Sequence, residues 1–160
     1  MNKHIPIKKY IEDVLGASLL AVLATESEGK PHASLIAITP VNGCRQLIFV
    51  TYRNTRKFYN LQHNGKVAVL IQGEDPYKSG HQKSFALTAF GNAREILISE
   101  HEEAIQTHLE RHPDLENFMR GKDFALILIT VDTYQVVRDI ENVSWWSVSD
   151  LDTSTSFITL

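Results

Sequence analysis

Six segments rich in β-branched and aromatic residues, mostly in hairpin order with helices inserted between them, point to an antiparallel sheet that curls toward a barrel. They are Ser18–Ala24, His32–Val41, Gln46–Tyr52, Val67–Gln72, Ser84–Glu95 and Phe124–Val137. Asn42-Gly43, between two of them, is the strongest hairpin signal in the chain, because a tight two-residue turn needs positive φ at both positions. Ser27-Glu28-Gly29-Lys30-Pro31 is a second turn of this kind, and Asn64-Gly65 leads into the fourth strand. A doubly wound parallel sheet would need a crossover after every strand, whereas the first three strands here follow one another through short turns. Gly91, inside the long fifth segment, marks a bulge or a close backbone approach.

Helices fit between these strands. Ile5 to Leu15 places Ile7, Ile11, Val14 and Leu15 on one side and Lys8, Lys9, Glu12 and Asp13 on the other. Ser99-Glu100-His101-Glu102 has the spacing of a capping box, so a helix is expected from there to Arg111 or His112, stopped by Pro113, with a short turn of helix to Arg120. Residues 1–146 then form the barrel domain. Residues 147–160, rich in Ser, Thr and Asp, form a C-terminal tail that is mobile or packed on a partner subunit.

Composition narrows the function classes. The 160 residues suffice for one core, and a single cysteine, Cys44, excludes an internal disulfide and any multi-cysteine metal site within the chain. A reduced, cytoplasmic setting is the expectation. The net charge of −3 argues against nucleic acid as a partner. The longest apolar run, Phe124–Ile129, is too short to cross a bilayer, and no signal-peptide pattern opens the chain, so no membrane association is expected.

The stretch Phe49-Val50-Thr51-Tyr52-Arg53-Asn54-Thr55-Arg56-Lys57 carries the chemistry. A strand runs directly into a helix expected over Thr55–His63, with Asn54 as its N-cap. Thr55, Arg56 and Lys57 then occupy the first turn, where free backbone N–H groups and the positive end of the helix dipole point outward. A phosphate there meets oriented donors, a hydroxyl and two cations. Arg and Lys oppose the dipole at that end, so they need a reason to be there.

Taken in order, Leu23-Ala24-Thr25, Gly29-Lys30-Pro31-His32-Ala33-Ser34, Phe49-Val50-Thr51, Thr55-Arg56-Lys57, Asn64-Gly65-Lys66-Val67-Ala68 and Gly91-Asn92-Ala93 resemble the successive landmarks of the pyridoxamine 5′-phosphate oxidase-like superfamily of FMN-binding split β-barrels. The resemblance implies a six-stranded antiparallel split β-barrel of the α+β class with peripheral helices. It also implies an FMN cofactor and a homodimer with each flavin at the subunit boundary. The flavin phosphate would lie at Arg56 and Lys57, with Thr55 as a hydroxyl donor. Backbone groups of Ser34, Leu35, Ile36 and Ala37 would flank the ring, and Val50 and Thr51 would sit beside the ribityl chain and phosphate. The family's flavin-contacting glutamine falls at Ala86, which leaves Gln82, Ser84 or Thr88 as substitutes. The oxidase proper has an arginine at Ser34, a substrate-phosphate lysine at Thr39 and a C-terminal Arg-x-His motif. Here Ser144–Leu160 contains no Arg, Lys or His.

The resemblance therefore implies an FMN-binding oxidoreductase, acting between a nicotinamide-type donor and a small-molecule substrate, that is not a pyridoxamine phosphate oxidase. The alternatives are a non-catalytic flavin-binding protein and a haem-binding relative. The latter rests on Arg111-His112-Pro113 followed by Asp123-Phe124, which is similar to the haem-utilisation branch, although no histidine follows His112. Trp145 and Trp146 are candidates for contact with a partner subunit's flavin, against the plainer reading that one fills the core and the other an interface. His101, His108 and His112 share a helix face, but His108-Leu109-Glu110-Arg111-His112 lacks the glutamate a zincin helix needs, so no metal site is expected and the face reads as solvated. No catalytic acid or base stands out.

Overall fold

A computed structural model describes residues 4–78, 84–121, 123–139 and 141–159. In chain order the elements are β1 (His4–Pro6), α1 (Ile7–Ala17), β2 (Leu20–Ser27), β3 (Lys30–Ala37), β4 (Thr39–Val41), β5 (Gln46–Tyr52), α2 (Arg56–His63), β6 (Lys66–Glu74) and β7 (Ser84–Ile96). A 3₁₀ turn, Ile98–Glu100, leads to α3 (Glu102–Arg111) and α4 (Leu115–Met119). After them come β8 (Phe124–Asp139), β9 (Asn142–Ser147), α5 (Val148–Leu151) and β10 (Phe157–Thr159).

The main sheet runs β3-β2-β6-β7-β8-β5-β4, with β9 added to β8, and every pairing is antiparallel. It is an α+β split barrel: among the described residues the two ends of the sheet, β3 and β4, are not hydrogen-bonded to each other. Hairpins close where turn chemistry predicts, at Glu28-Gly29 and Asn42-Gly43, all four residues having positive φ. At Gly91 the β7–β8 register slips, and a Cβ there would lie 2.1 Å from the Thr130 carbonyl oxygen, so only glycine fits this bulge.

Alternate residues of β2, β5, β6, β7 and β8 point inward and meet Tyr10, Ile11 and Leu15 of α1 in one core. Phe124–Ile129 reads as a continuous apolar run because both its faces are covered. Ala125, Ile127 and Ile129 face the barrel core, while Leu126 and Leu128 join Ile48 and Ile96 beneath Ala104 and Ile105 of α3. A buried ionic cluster ties the ends of the molecule together. Arg138 Nε donates to Asp75 Oδ2 at 2.9 Å, Tyr10 donates to the same oxygen at 3.2 Å, and Arg138 Nη1 donates to the Thr159 carbonyl at 2.9 Å.

Four local expectations are corrected. The strand expected over His32–Val41 breaks at Ile38, whose N–H donates to the Leu19 carbonyl and whose carbonyl accepts from Arg111 Nε and His112 Nε2. With Ile38 taken out of the ladder, β3 stays with β2 while β4 turns to β5. Ile5 belongs to β1 rather than to the first helix. The capping box does not form: α3 begins at Glu102 after the 3₁₀ turn, and His101 makes no side-chain cap bond. His108 and His112 are buried rather than solvated, since they fasten α3 to β4 and to Ile38.

The tail lies on its own chain. β10 pairs with β1, Ile5 opposite Ile158, and Val148, Leu151 and Ile158 enter the barrel core. No helix among the described residues is long and apolar enough to cross a membrane.

Candidate functional site

The open side of the barrel is where the chemistry gathers. Among the described residues β3 pairs only with β2, and the β4–β5 pairing stops at Thr39↔Ile48. Beyond Ile38, β3 packs beside β5 without a ladder. Two strand edges thus face each other across a seam. In each, every second residue turns an unpaired N–H and C=O toward the gap.

At one end of the seam β5 runs into α2. Thr55, not Asn54, is the N-cap: its backbone is extended and its Oγ1 accepts from Phe58 N at 3.3 Å, while Asn54 is exposed. The buried Thr51 hydroxyl lies 3.0 Å from the Thr55 hydroxyl and selects it for this task. Arg56 and Lys57 are therefore the first two residues of the helix. Their amides have no backbone partner among the described residues, as the start of a helix requires.

The two cations differ. Arg56 is exposed, its guanidinium 5.8 Å from the Tyr59 ring centre. Lys57 is half-buried, has no hydrogen bond or ion pair among the described residues, and its ammonium is held below its ordinary pKa by burial. Arg53 just before them is spent on structure. It donates through Nη1 to Glu95 Oε2 at 2.8 Å, through Nη2 to Glu95 Oε1, and through Nε to Asp123 Oδ1 at 3.0 Å.

Of the strand residues expected beside a ring, Ile36 is buried in the core, so only its backbone can face the seam. Leu35 points outward and is 64% exposed, Ala37 is half-buried, and the Ser34 Oγ is buried without a hydrogen-bond partner among the described residues. The Nδ1 of His32, two residues earlier on the same face of β3, is in the same condition. Val50 packs against the α3 cluster. Trp146 packs on the chain's own core and donates from Nε1 to Ser144 Oγ at 2.9 Å, whereas Trp145 is 57% exposed and stacks on Phe90. Ala86 and Thr88 are half-buried on β7 and Ser84 is exposed at its start. Gln82 lies outside the described residues.

Residues 7–138 match the pattern of the family described as pyridoxamine 5′-phosphate oxidase. The chain belongs to that family. A comparison with curated proteins finds no match. Among solved structures the chain is similar to a haem-binding protein from Mycobacterium smegmatis, at 18% identity and a TM-score of 0.78 over 91% of this chain and 60% of that one. General Stress Protein 26 from Bacillus anthracis matches at 18% identity and TM-score 0.68 over 90% and 100%. An FAD-binding protein from Mesorhizobium loti matches at 14% identity and TM-score 0.64 over 84% and 95%. At these identities the likeness concerns the fold. The chain spans about 60% of the Mycobacterium protein's length.

One position that the resemblance ties to substrate is occupied differently in this chain. Thr39, where the oxidase proper carries a substrate-phosphate lysine, is buried, and its hydroxyl is 2.7 Å from His108 Nδ1. Burial, together with His112 and Arg111 nearby, pushes His108 down to about 4, so the imidazole is neutral in the fold. The Thr39 position thus serves to anchor α3. The sequence offers His32, next to the expected flavin strand, as a donor to substrate or flavin or as a plainly structural residue, and its Nδ1 is buried without a hydrogen-bond partner among the described residues.

Proposed function

We propose that this chain binds FMN across the β3–β5 seam and passes electrons between a nicotinamide-type donor and a small-molecule acceptor. The observation that carries this reading is a half-buried, unpaired Lys57 beside the open amides of α2, at the end of two unpaired strand edges. A phosphate offsets the buried charge, and a planar ring with alternating acceptors and donors suits the edges. The residues present therefore fit the group the family implies. FMN supplies the redox chemistry when bound. Arg56 and Lys57 neutralise its phosphate, Thr55 and Thr51 supply hydroxyls, and the backbone from Ser34 to Ala37 orients the ring and excludes water from one side.

The proposed assembly is a cytoplasmic homodimer. Support comes from the outer face of the sheet, where cross-strand partners Leu35, Val22, Leu70, Thr88, Gln135 and Trp145 form one row over β3, β2, β6, β7, β8 and β9. Leu35, Val22, Leu70 and Trp145 are exposed, and Leu20 and Val143 extend the patch. An apolar stripe of this extent on a sheet next to an open edge favours a self-complementary interface. Vitamin B6 phosphates are excluded from the proposed substrates, because Thr39 is engaged by His108 and Ser144–Leu160 carries no cation.

Anaerobic addition of NADPH and NADH to the FMN-loaded protein tests the reading. Bleaching of the flavin band within turnover times, followed by recovery with an acceptor, is the expected result. A bound flavin that neither nucleotide reduces would identify a non-catalytic flavin-binding protein instead, and oxidation of pyridoxine phosphate would restore the oxidase assignment.

A further inference from the structure

Ile38 is the residue at which the sheet parts, and among the described residues its backbone hydrogen bonds all lead away from β5. Its N–H donates to the Leu19 carbonyl at 3.0 Å, and its carbonyl accepts from His112 Nε2 at 2.7 Å and from Arg111 Nε at 3.2 Å. On one side of it β3 stays on β2, with Ala37 opposite Leu20. On the other β4 joins β5, with Thr39 opposite Ile48. The chain thus changes partner strand at this one residue, and the gap between β3 and β5 opens there.

The two side chains that hold Ile38 come from the end of α3. Arg111 also donates through Nη2 to the Leu15 carbonyl at 2.9 Å and to the Ser18 carbonyl at 2.6 Å, in the last turn of α1 and at its C-cap. One half-buried guanidinium therefore ties α1 to Ile38, with no acidic partner among the described residues. A cation held this way is a costly anchor, and α3 has a cheaper one, because Ala104 and Ile105 already pack on the apolar cluster of Ile48, Ile96, Leu126 and Leu128. What Arg111 and His112 add is position. The planar guanidinium fixes direction as well as distance, and the buried imidazole bonds the same oxygen out of reach of water.

We propose that Arg111 and His112 are positioning residues for the β3–β5 seam: by holding the Ile38 carbonyl they keep the end of β3 off β5 and set the gap that the flavin ring enters. This rests on the flavin reading above, in which the backbone of Ser34 to Ala37 flanks the ring. Both residues act through Ile38.

The experiment measures FMN affinity by flavin fluorescence, and amide hydrogen exchange of the apoprotein, in wild type, His112→Leu, His112→Gln, Arg111→Met and Ile105→Ala. His112→Gln keeps a donor near the position of Nε2, and Ile105→Ala loosens the packing of α3 without touching Ile38. The expected result is that His112→Leu and Arg111→Met each weaken FMN binding roughly tenfold, the scale of one main-chain hydrogen bond to the ring, and speed exchange of the Ile38 amide. His112→Gln recovers most of both effects. Ile105→Ala lowers the melting temperature but leaves FMN affinity and Ile38 exchange as in wild type. An equal loss of FMN affinity in Ile105→Ala and His112→Leu, or full affinity in both His112→Leu and Arg111→Met, would overturn the assignment. Lowered affinity with unchanged Ile38 exchange would overturn the route through Ile38. A wild-type protein that does not bind FMN rejects the flavin reading, and Ile38 exchange then decides the hold on the seam by itself: unchanged exchange in His112→Leu rejects that too. Should His112→Leu not fold, Arg111→Met and His112→Gln decide: FMN affinity must fall about tenfold in the first and stay near wild type in the second.

Discussion

Replacing Lys57 by methionine separates a binding role from a structural one, because the two predict opposite signs. The side chain is half-buried with no acidic partner among the described residues, and burial alone depresses its ammonium. At neutral pH the free protein therefore bears the cost of holding that charge, a cost relieved only as pH rises through the depressed pKa toward the ordinary 10.5. Methionine keeps the stem and removes the charge, so the melting temperature of the apoprotein should hold or rise. FMN affinity should fall roughly ten- to a hundredfold, from the loss of a charge-assisted hydrogen bond worth about 1.5–3 kcal/mol. In wild-type protein the same affinity should decline as alkaline pH deprotonates Lys57, a decline absent from Lys57→Met because Arg56 does not titrate there. Fluorescence titration at several pH values and a thermal melt of the apoprotein read both quantities. A variant that melts several degrees lower and binds FMN as wild type does would refute the reasoning.

Other positions give predictions of their own. His108 is neutral in the fold at about 4 against 6.5 unfolded, so its contribution is complete above pH 6.5 and is lost as pH falls toward 4. By the usual 1.36 kcal/mol per pH unit this is on the order of 3 kcal/mol, and His108→Gln should flatten the acid limb seen in urea unfolding at pH 7 and pH 4.5. Gly91→Ala drives a Cβ against the Thr130 backbone and should cost about 3 kcal/mol or more, seen as a large drop in melting temperature; a wild-type melt would show that the bulge relaxes freely. Leu35→Glu, at an exposed position on the outer sheet face, should yield a monomer in sedimentation with unchanged far-ultraviolet circular dichroism, and an intact dimer would move the interface elsewhere.

The barrel was legible wherever local chemistry decides the chain's path. Asn42-Gly43 dictates its hairpin, Gly91 its bulge, and the change from β-branched to helical spacing after Tyr52 the strand-to-helix junction. What the sequence hides is decided by distant partners. Ile38 leaves its strand because Arg111 and His112 claim its carbonyl from over seventy residues away. Asn54 and Thr55 are comparable caps, and Thr51 across the turn chooses between them. The tail's Leu151 and Ile158 have no local signal for the core they join, which depends on β1 and α1 at the far end of the chain. At the site, the Thr55-Arg56-Lys57 cluster was readable because its parts are adjacent. The docking of α2 onto the sheet was not, because it depends on the Asn60–Thr25 bond between residues far apart in the chain.

The visible absorption spectrum of the protein purified from cells and then titrated with FMN tests the central claim most directly. Flavin bands retained through purification, or restored by FMN to one flavin per chain and lost in Lys57→Met, are the predicted result. A haem Soret band, or a colourless protein that FMN does not bind, would contradict it.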